Sequence, residues 1–323
     1  MGCTVIERGW LSANNILLHG EPGEGDVLID SGHSVHAAQT VALVGAALNA
    51  RPAGPRALTR LVNTHLHSDH CGGNAALQAR WPVQTDVPPG HADAARCWDL
   101  DALSYTPTGQ RCDRFRVDGV VRPGERLSVG GQHWDALAAP GHDPHSLVFF
   151  NAQEGVLIAA DALWENGFGV VFPELDGLNA FDEVAATLDL IARLPVREVV
   201  PGHGAVFREV ADALQRARRR LDGFRADPRK HARYAAKVLV KYHLMEVQRQ
   251  PREALDAWLQ ATPLLQQIWR RHRDGSFSAD PASLTGDPDL AAQAAYQGWC
   301  SDLVEELLSQ GALRRDAVDI VDA

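Results

Sequence analysis

Nowhere in this 323-residue chain does an uninterrupted apolar run approach the ~18 residues that would cross a bilayer, so no membrane-spanning helix is expected. Cysteine is scarce: Cys3, Cys71, Cys97, Cys112 and Cys300 are scattered, odd in number and form no CxxC pair. That pattern excludes a disulfide framework and a cysteine-built zinc site, and it suits a reducing compartment. The segment Met1 to Arg8 has no basic stretch followed by a long apolar one, so no secretory leader is expected. Ile6 stands where an N-acylation motif needs Ser or Thr. A Gly-rich phosphate loop is lacking, and so is a basic excess. Net charge is −10, with 19 Lys+Arg against 28 Asp+Glu before residue 228 and 12 against 13 after it. Each phosphate contact needs a basic partner, which argues against nucleic acid or any long polyanion. The expectation is a soluble cytoplasmic protein that meets a small molecule.

Histidine and aspartate are concentrated instead. Thr64-His65-Leu66-His67-Ser68-Asp69-His70 packs three imidazoles and a carboxylate into six residues, directly after the strand-like run Ala57 to Val62. Neutral imidazole and carboxylate are preferred donors for zinc, and for iron or manganese in similar sites. Downstream, Pro140-Gly141-His142 follows the strand-like 132–138 segment, and Val156 to Ala160 ends at Asp161. Glu198 to Val200 then leads into Pro201-Gly202-His203-Gly204. Each piece alone is an ordinary turn. Four strand ends offering HxHxDH, His, Asp and His in that order point to metal chemistry at the C-terminal ends of strands.

In these motifs residues 1 to about 210 resemble the metallo-β-lactamase superfamily, in its glyoxalase II or lactamase-B-like group. Asp26 to Gly32 is similar to the family's early strand ending in an Asp-x-Gly turn. The resemblance implies an α+β fold, a four-layer αβ/βα sandwich of two packed sheets with outer helices. It implies two divalent metal ions, with zinc expected and iron or manganese as alternatives. His65, His67 and His142 would hold one ion; Asp69, His70 and His203 would hold the other; Asp161 would bridge them. Each ion then has four protein donors. The implied chemistry is activation of water for hydrolysis of an ester-like bond, a thioester or lactone, with Asp69 also orienting the water and moving its proton. Two other readings use the same donors: a phosphodiesterase or nuclease, and an iron-dependent oxidoreductase. The acidic first part disfavours the former. The latter's mononuclear dioxygenases resemble this chain only at His65, His142 and Asp161.

Periodicity places strands at 14–18, 26–30, 58–63, 132–138, 146–150, 156–160 and 197–200, and helices at 34–49, 73–80, 90–99 and 181–193. A catalytic domain is expected over 1–227. A smaller helical, winged-helix-like domain follows over 228–323, with a helical face at Ala235, Val238, Leu239, Tyr242 and Met245, a polar loop over 277–288, and Gly311 as a helix C-cap. Pocket closure or homodimer packing is its expected role.

Substrate contacts are sought outside the donor set. Trp164, Glu165, Asn166 and Phe168 leave Asp161 and read either as pocket lining or as plain packing. Tyr105, in a Pro/Gly-rich stretch, reads as a residue reaching in from a mobile loop. His145 reads as a proton relay or as a turn contact. Basic residues of the kind a glyoxalase II uses for glutathione cannot be placed. Cys71 reads as a small residue packed at a helix start.

Overall fold

The computed structural model describes residues 2–50, 54, 56–274 and 290–323. Contacts divide it into two compact units: Met1–Tyr105 with Arg111–Val171 and Ala180–Leu221, and Thr106–Gln110 with Phe172–Asn179 and Asp222–Ala323. The second unit thus takes two short segments from within the first 180 residues as well as the C-terminal part.

In the first unit, strands β1 (Cys3–Ile6), β2 (Asn15–Leu18), β3 (Asp26–Ile29), β4 (Leu58–Val62), β5 (Gln84–Val87) and β6 (Gly119–Val120) form one sheet in sequence order. Its first three strands are antiparallel, and β3 to β6 run parallel. The second sheet contains β7 (Arg126–Val129), β8 (Gln132–Ala138), β9 (Leu147–Asn151), β10 (Val156–Ala160) and β11 (Glu198–Pro201), in the order β11-β10-β9-β8-β7. Only β10 and β11 are parallel in that sheet.

Side-chain alternation builds the layers. Ile16, Leu18, Val27, Ile29 and Val62 of the first sheet meet Trp134, Ala136, Leu147, Phe149 and Ile158 of the second. The intervening Leu17, Leu28 and Leu61 point the other way, onto Val44 and Leu48 of the Ala37–Asn49 helix and Leu77 of the Asn74–Arg80 helix. Burial on both faces is why these strands read as continuous apolar runs rather than alternating ones. The Ala180–Arg193 helix buries Phe181, Val184, Leu188 and Ile191 on one stripe, and its Thr187 hydroxyl donates to Pro140 O just past β8. The layers are therefore helix, sheet, sheet, helix.

In these two sheets four strands escaped the sequence reading, β1, β5, β6 and β7. β5 is the instructive one. Its Thr85 and Asp86 are buried yet polar, because Asp86 accepts from the Arg60 guanidinium, the Thr85 hydroxyl accepts from Gln78 and the Thr85 backbone N–H donates to Asp118.

In the second unit, helices Pro228–Val247, Arg252–Ala261, Pro263–Asp274 and Leu290–Ser309 accompany a sheet of β12 (Arg249–Pro251), β13 (Leu313–Asp316) and β14 (Asp319–Asp322). The residues after Gly311 form a β-hairpin rather than a helix end, with Leu313 opposite Asp322 and Asp316 opposite Asp319. Gly311 itself has φ +70 and closes the preceding helix, Ala312 N–H reaching back to Leu307 O. The buried stripe of the Pro228–Val247 helix runs through Ala232, Ala235, Ala236, Leu239, Val240 and Leu244, so Val238, Tyr242 and Met245 lie beside it rather than on it. The 277–288 loop lies outside the described residues.

Candidate metal centre

Every donor of the sequence pattern follows the C-terminal end of a strand. β4 delivers His65 and His67, β8 delivers His142, β10 ends at Asp161 and β11 delivers His203. Asp69 and His70 do not sit in a loop but in a helical turn, Ser68–Cys71, which swings both side chains to the same side. Two groups result: His65, His67 and His142 in one, and Asp69, His70, Asp161 and His203 in the other, with the donor atoms of each group within 4.8 Å of one another.

Asp161 lies between them. Its Oδ2 is 3.3 Å from His142 Nε2, while its Oδ1 is 3.5 Å from His70 Nε2 and 3.8 Å from His203 Nε2. Asp69 Oδ2 is 3.0 Å from His203 Nε2. In the first group, His67 Nδ1 is 3.1 Å from His65 Nε2 and 2.8 Å from His142 Nε2.

Hydrogen bonds on the far side of each ring decide which nitrogen faces inward. His142 Nδ1–H donates to Val170 O, and His70 Nδ1–H donates to Asp30 Oδ2 at 2.7 Å. Thr64 Oγ1–H also donates to Asp30 Oδ2, at 2.7 Å, so it accepts from His65 Nδ1–H at 3.1 Å. With Nδ1 engaged in this way, these three imidazoles turn Nε2 to the centre. His67 Nδ1 can donate to only one of its two neighbours, and His70 Nε2 is buried with no hydrogen-bond partner among the described residues. Converging lone pairs with too few protons between them are what a cation resolves, so the donor set fits metal.

The electrostatics agree. Burial first, then the neighbouring rings, hold His65 well below the ordinary imidazole value, and burial with His142 takes His67 down to about 4. Burial alone would raise Asp69, but His70 and His203 hold it at about 2. Asp161 is likewise held low against burial by His70, His203 and His142. Around His70, burial is outweighed by Asp161, Asp30 and Asp69, which raise it. Three carboxylates around one buried imidazole are an excess of negative charge that a cation would neutralise.

The backbone is strained where it serves the centre. Asp30 (φ 57) and Ala160 (φ 45) occupy the left-handed region that non-glycine residues rarely enter. A Cβ at Gly169 would lie 2.4 Å from His142 Nδ1, and one at Gly202 would lie 2.2 Å from Asp161 Oδ1.

The substrate candidates separate. Trp164 does reach the centre, donating from Nε1 to Asp161 Oδ1 at 3.2 Å and meeting the His203 ring edge-on at 5.5 Å. Glu165 and Asn166 are exposed, and Glu165 offers its carbonyl to Arg216. Phe168 is buried beneath the Arg220 guanidinium, as packing rather than pocket lining. Tyr105 does not reach in from a mobile loop: it is buried, its hydroxyl donates to Leu66 O at 2.8 Å, and it braces the backbone between His65 and His67. His145 packs edge-on against His91, 4.5 Å between ring centroids, and its N–H is bound by Asp143; none of its described contacts is with the seven donors. Cys71 is buried beside Tyr105, in keeping with a packed residue.

Sequence reasoning missed Trp10, which is 58% exposed and stacks on His203 with centroids 5.7 Å apart. It also missed Asp30 as an orienting group, although the strand-end Asp-Ser-Gly marked the place.

A family model described as the metallo-beta-lactamase superfamily matches residues 8–203. A hydroxyacylglutathione hydrolase of Methylococcus capsulatus is 28% identical over 199 residues, 61% of this chain and 64% of that protein. One from Dechloromonas aromatica is 32% identical over 143 residues, 44% of this chain and 43% of that protein. The matches thus span about half to two thirds of the length of these curated relatives. A metallo-beta-lactamase family protein from Thermus thermophilus superimposes with a TM-score of 0.54 at 20% identity, covering 100% of this chain and 99% of that one, which shows a shared fold. With the sandwich, the strand-end donors and the family model in agreement, this chain belongs to the metallo-beta-lactamase superfamily.

Proposed function

We propose that the chain is a metal-dependent hydrolase that cleaves an ester-like bond, a thioester or lactone, in a small molecule. The observation that carries this reading is the convergence of seven donors into two groups with Asp161 between them. His65, His67 and His142 would hold one divalent ion, Asp69, His70 and His203 the other, and Asp161 both. Bound there, such ions supply Lewis acidity and bring the pKa of water towards neutrality. Zinc is the ion favoured by a histidine-rich set without cysteine, with iron or manganese the alternatives.

The chain's own residues do the rest. Asp69 and His67 have side chains 12% exposed, against 0% for His70, so the centre opens to solvent on their side. Asp69 is therefore the carboxylate placed to orient a water and to pass its proton towards a leaving group. Trp10 and Trp164 give the His203 side an apolar wall, which suits an uncharged substrate portion. The acidic first part supports a small, non-polyanionic substrate over a nucleic acid. The activity for which these relatives are named, hydrolysis of a hydroxyacylglutathione, supports the thioester class. Five free cysteines favour a reducing compartment such as the cytoplasm.

Metal analysis of purified protein with a panel of thioester, lactone and phosphodiester substrates tests the reading. Two zinc ions per chain and chelator-sensitive carbonyl-ester turnover are expected. Phosphodiester turnover alone, or iron with oxygen consumption, would replace it with the nuclease or the oxidoreductase.

A further inference from the structure

Asp161 can face both donor groups only if its carboxylate does not rotate. Its Oδ1 is held from two sides. On one, the Trp164 indole Nε1–H donates to it at 3.2 Å. On the other stands Gly202, where even a methyl group would come within 2.2 Å of the same oxygen. Trp164 is itself anchored. Its ring meets His203 and Trp10 edge-on, at 5.5 Å each, and its backbone N–H donates to Gly167 O at 2.7 Å. Gly169 N–H returns to Asp161 O at 2.9 Å, closing the loop on the residue it serves.

We propose that Trp164 is a positioning residue, a neutral donor that locks Asp161 so that Oδ1 stays turned towards Asp69, His70 and His203. The indole suits this place because it donates one hydrogen bond, accepts none and carries no charge. A lysine or arginine here would neutralise the carboxylate and compete with the cation. An aliphatic side chain would leave Oδ1 free to turn. The inference rests on reading the seven donors as a two-ion centre, and it assigns Trp164 to the second ion.

The test is Co²⁺ binding to the full chain after chelation, with bound ions counted by equilibrium dialysis and coordination followed by visible absorption. Wild type is expected to take two ions. Trp164→Phe keeps an aromatic ring and removes the N–H. It should bind the first ion as wild type does and the second about 10-fold more weakly or worse. Trp164→Gln, which restores a neutral N–H donor without adding a metal-binding nitrogen, should recover part of the loss. Melting of the metal-free proteins should be the same for wild type and Trp164→Phe. Equal binding of both ions by Trp164→Phe overturns the proposal. So does equal weakening of both sites with a lower metal-free melting temperature, which marks a packing role; Trp164→Gln then shows no recovery. A wild-type chain that binds no ion instead overturns the two-ion reading on which this one stands.

Discussion

Asp30 Oδ2 lies 2.7 Å from His70 Nδ1, and that hydrogen bond leaves Nε2 as the nitrogen His70 turns inward. Asp30 also fixes Thr64 through both N–H and Oγ1, and Thr64 in turn sets His65. One carboxylate thus orients a histidine of each donor group. Asp30→Asn isolates this role, because asparagine tolerates the left-handed backbone of position 30. An amide directed at His70 replaces an acceptor with a donor and favours the tautomer protonated on Nε2. Metal affinity should fall about 10–100-fold with the far-ultraviolet circular dichroism unchanged. Unaltered affinity in a competition titration with a chromogenic chelator would remove Asp30 from the centre.

His142 is the donor that the second sheet contributes beside Asp161 Oδ2. His142→Ala should lower bound metal towards one ion per chain, measured by atomic emission, and reduce ester turnover by at least about 100-fold. Full metal content with full turnover would refute the assignment.

Gly169 and Gly202 test the same geometry from the backbone. Gly169→Ala places a methyl against the His142 ring, and Gly202→Ala places one against Asp161 Oδ1. Each should weaken metal binding. Overpacking costs about 1–3 kcal/mol, and thermal melts of the metal-free proteins would show it. Alanine at Gly204, where a Cβ meets nothing within 4 Å, should disturb the centre less despite the strain of its φ of +86.

Chelation should destabilise the fold as well as stop turnover. Six of the seven donors are buried and His67 is partly so, and their rings and carboxylates crowd one another. An ion at 100 times its dissociation constant adds about 2.7 kcal/mol to stability. A first unit of this size gains about 2–4 °C per kcal/mol. Zinc added back to the chelated protein should therefore raise its melting temperature by at least about 5 °C; no change in calorimetry would speak against specific binding.

Thiol labelling of the native protein should be uneven. Cys97 is exposed, whereas Cys71 and Cys300 are buried. Burial, with Cys112 adding to it, pushes the Cys71 thiol well up, and burial takes Cys300 to about 11. Mass mapping after brief alkylation at neutral pH should find Cys97 modified first and Cys71 and Cys300 protected. Rapid modification of Cys71 would mean that the helical turn carrying His70 opens readily.

How far the chain could be read depended on how local each signal was. The seven donors were visible because they sit next to strand ends whose apolar runs are unmistakable, as at Leu58 to Val62 and Val156 to Ala160. β5 was hidden because its Thr85 and Asp86 are satisfied by side chains from other elements, so nothing in its own pattern announces burial. Tyr105 was misplaced for a related reason: a Pro/Gly-rich neighbourhood suggested mobility, while its hydroxyl had a fixed partner 39 residues away.

Residue types and their order along the chain determined that imidazoles and carboxylates would gather at strand ends, since they need only the strands to bring them together; the sandwich itself was implied by the family resemblance those motifs carry. Tertiary packing alone decided which nitrogen each ring offers, because that follows from hydrogen bonds to Asp30, Thr64 and Val170, two of them far away in sequence from the histidines they orient. It also decided that Trp10 and Trp164 flank His203 while Phe168 and Tyr105 turn away into the interior. An aromatic side chain has the same chemistry in all four places, and only its neighbours settle whether it faces the centre or the core.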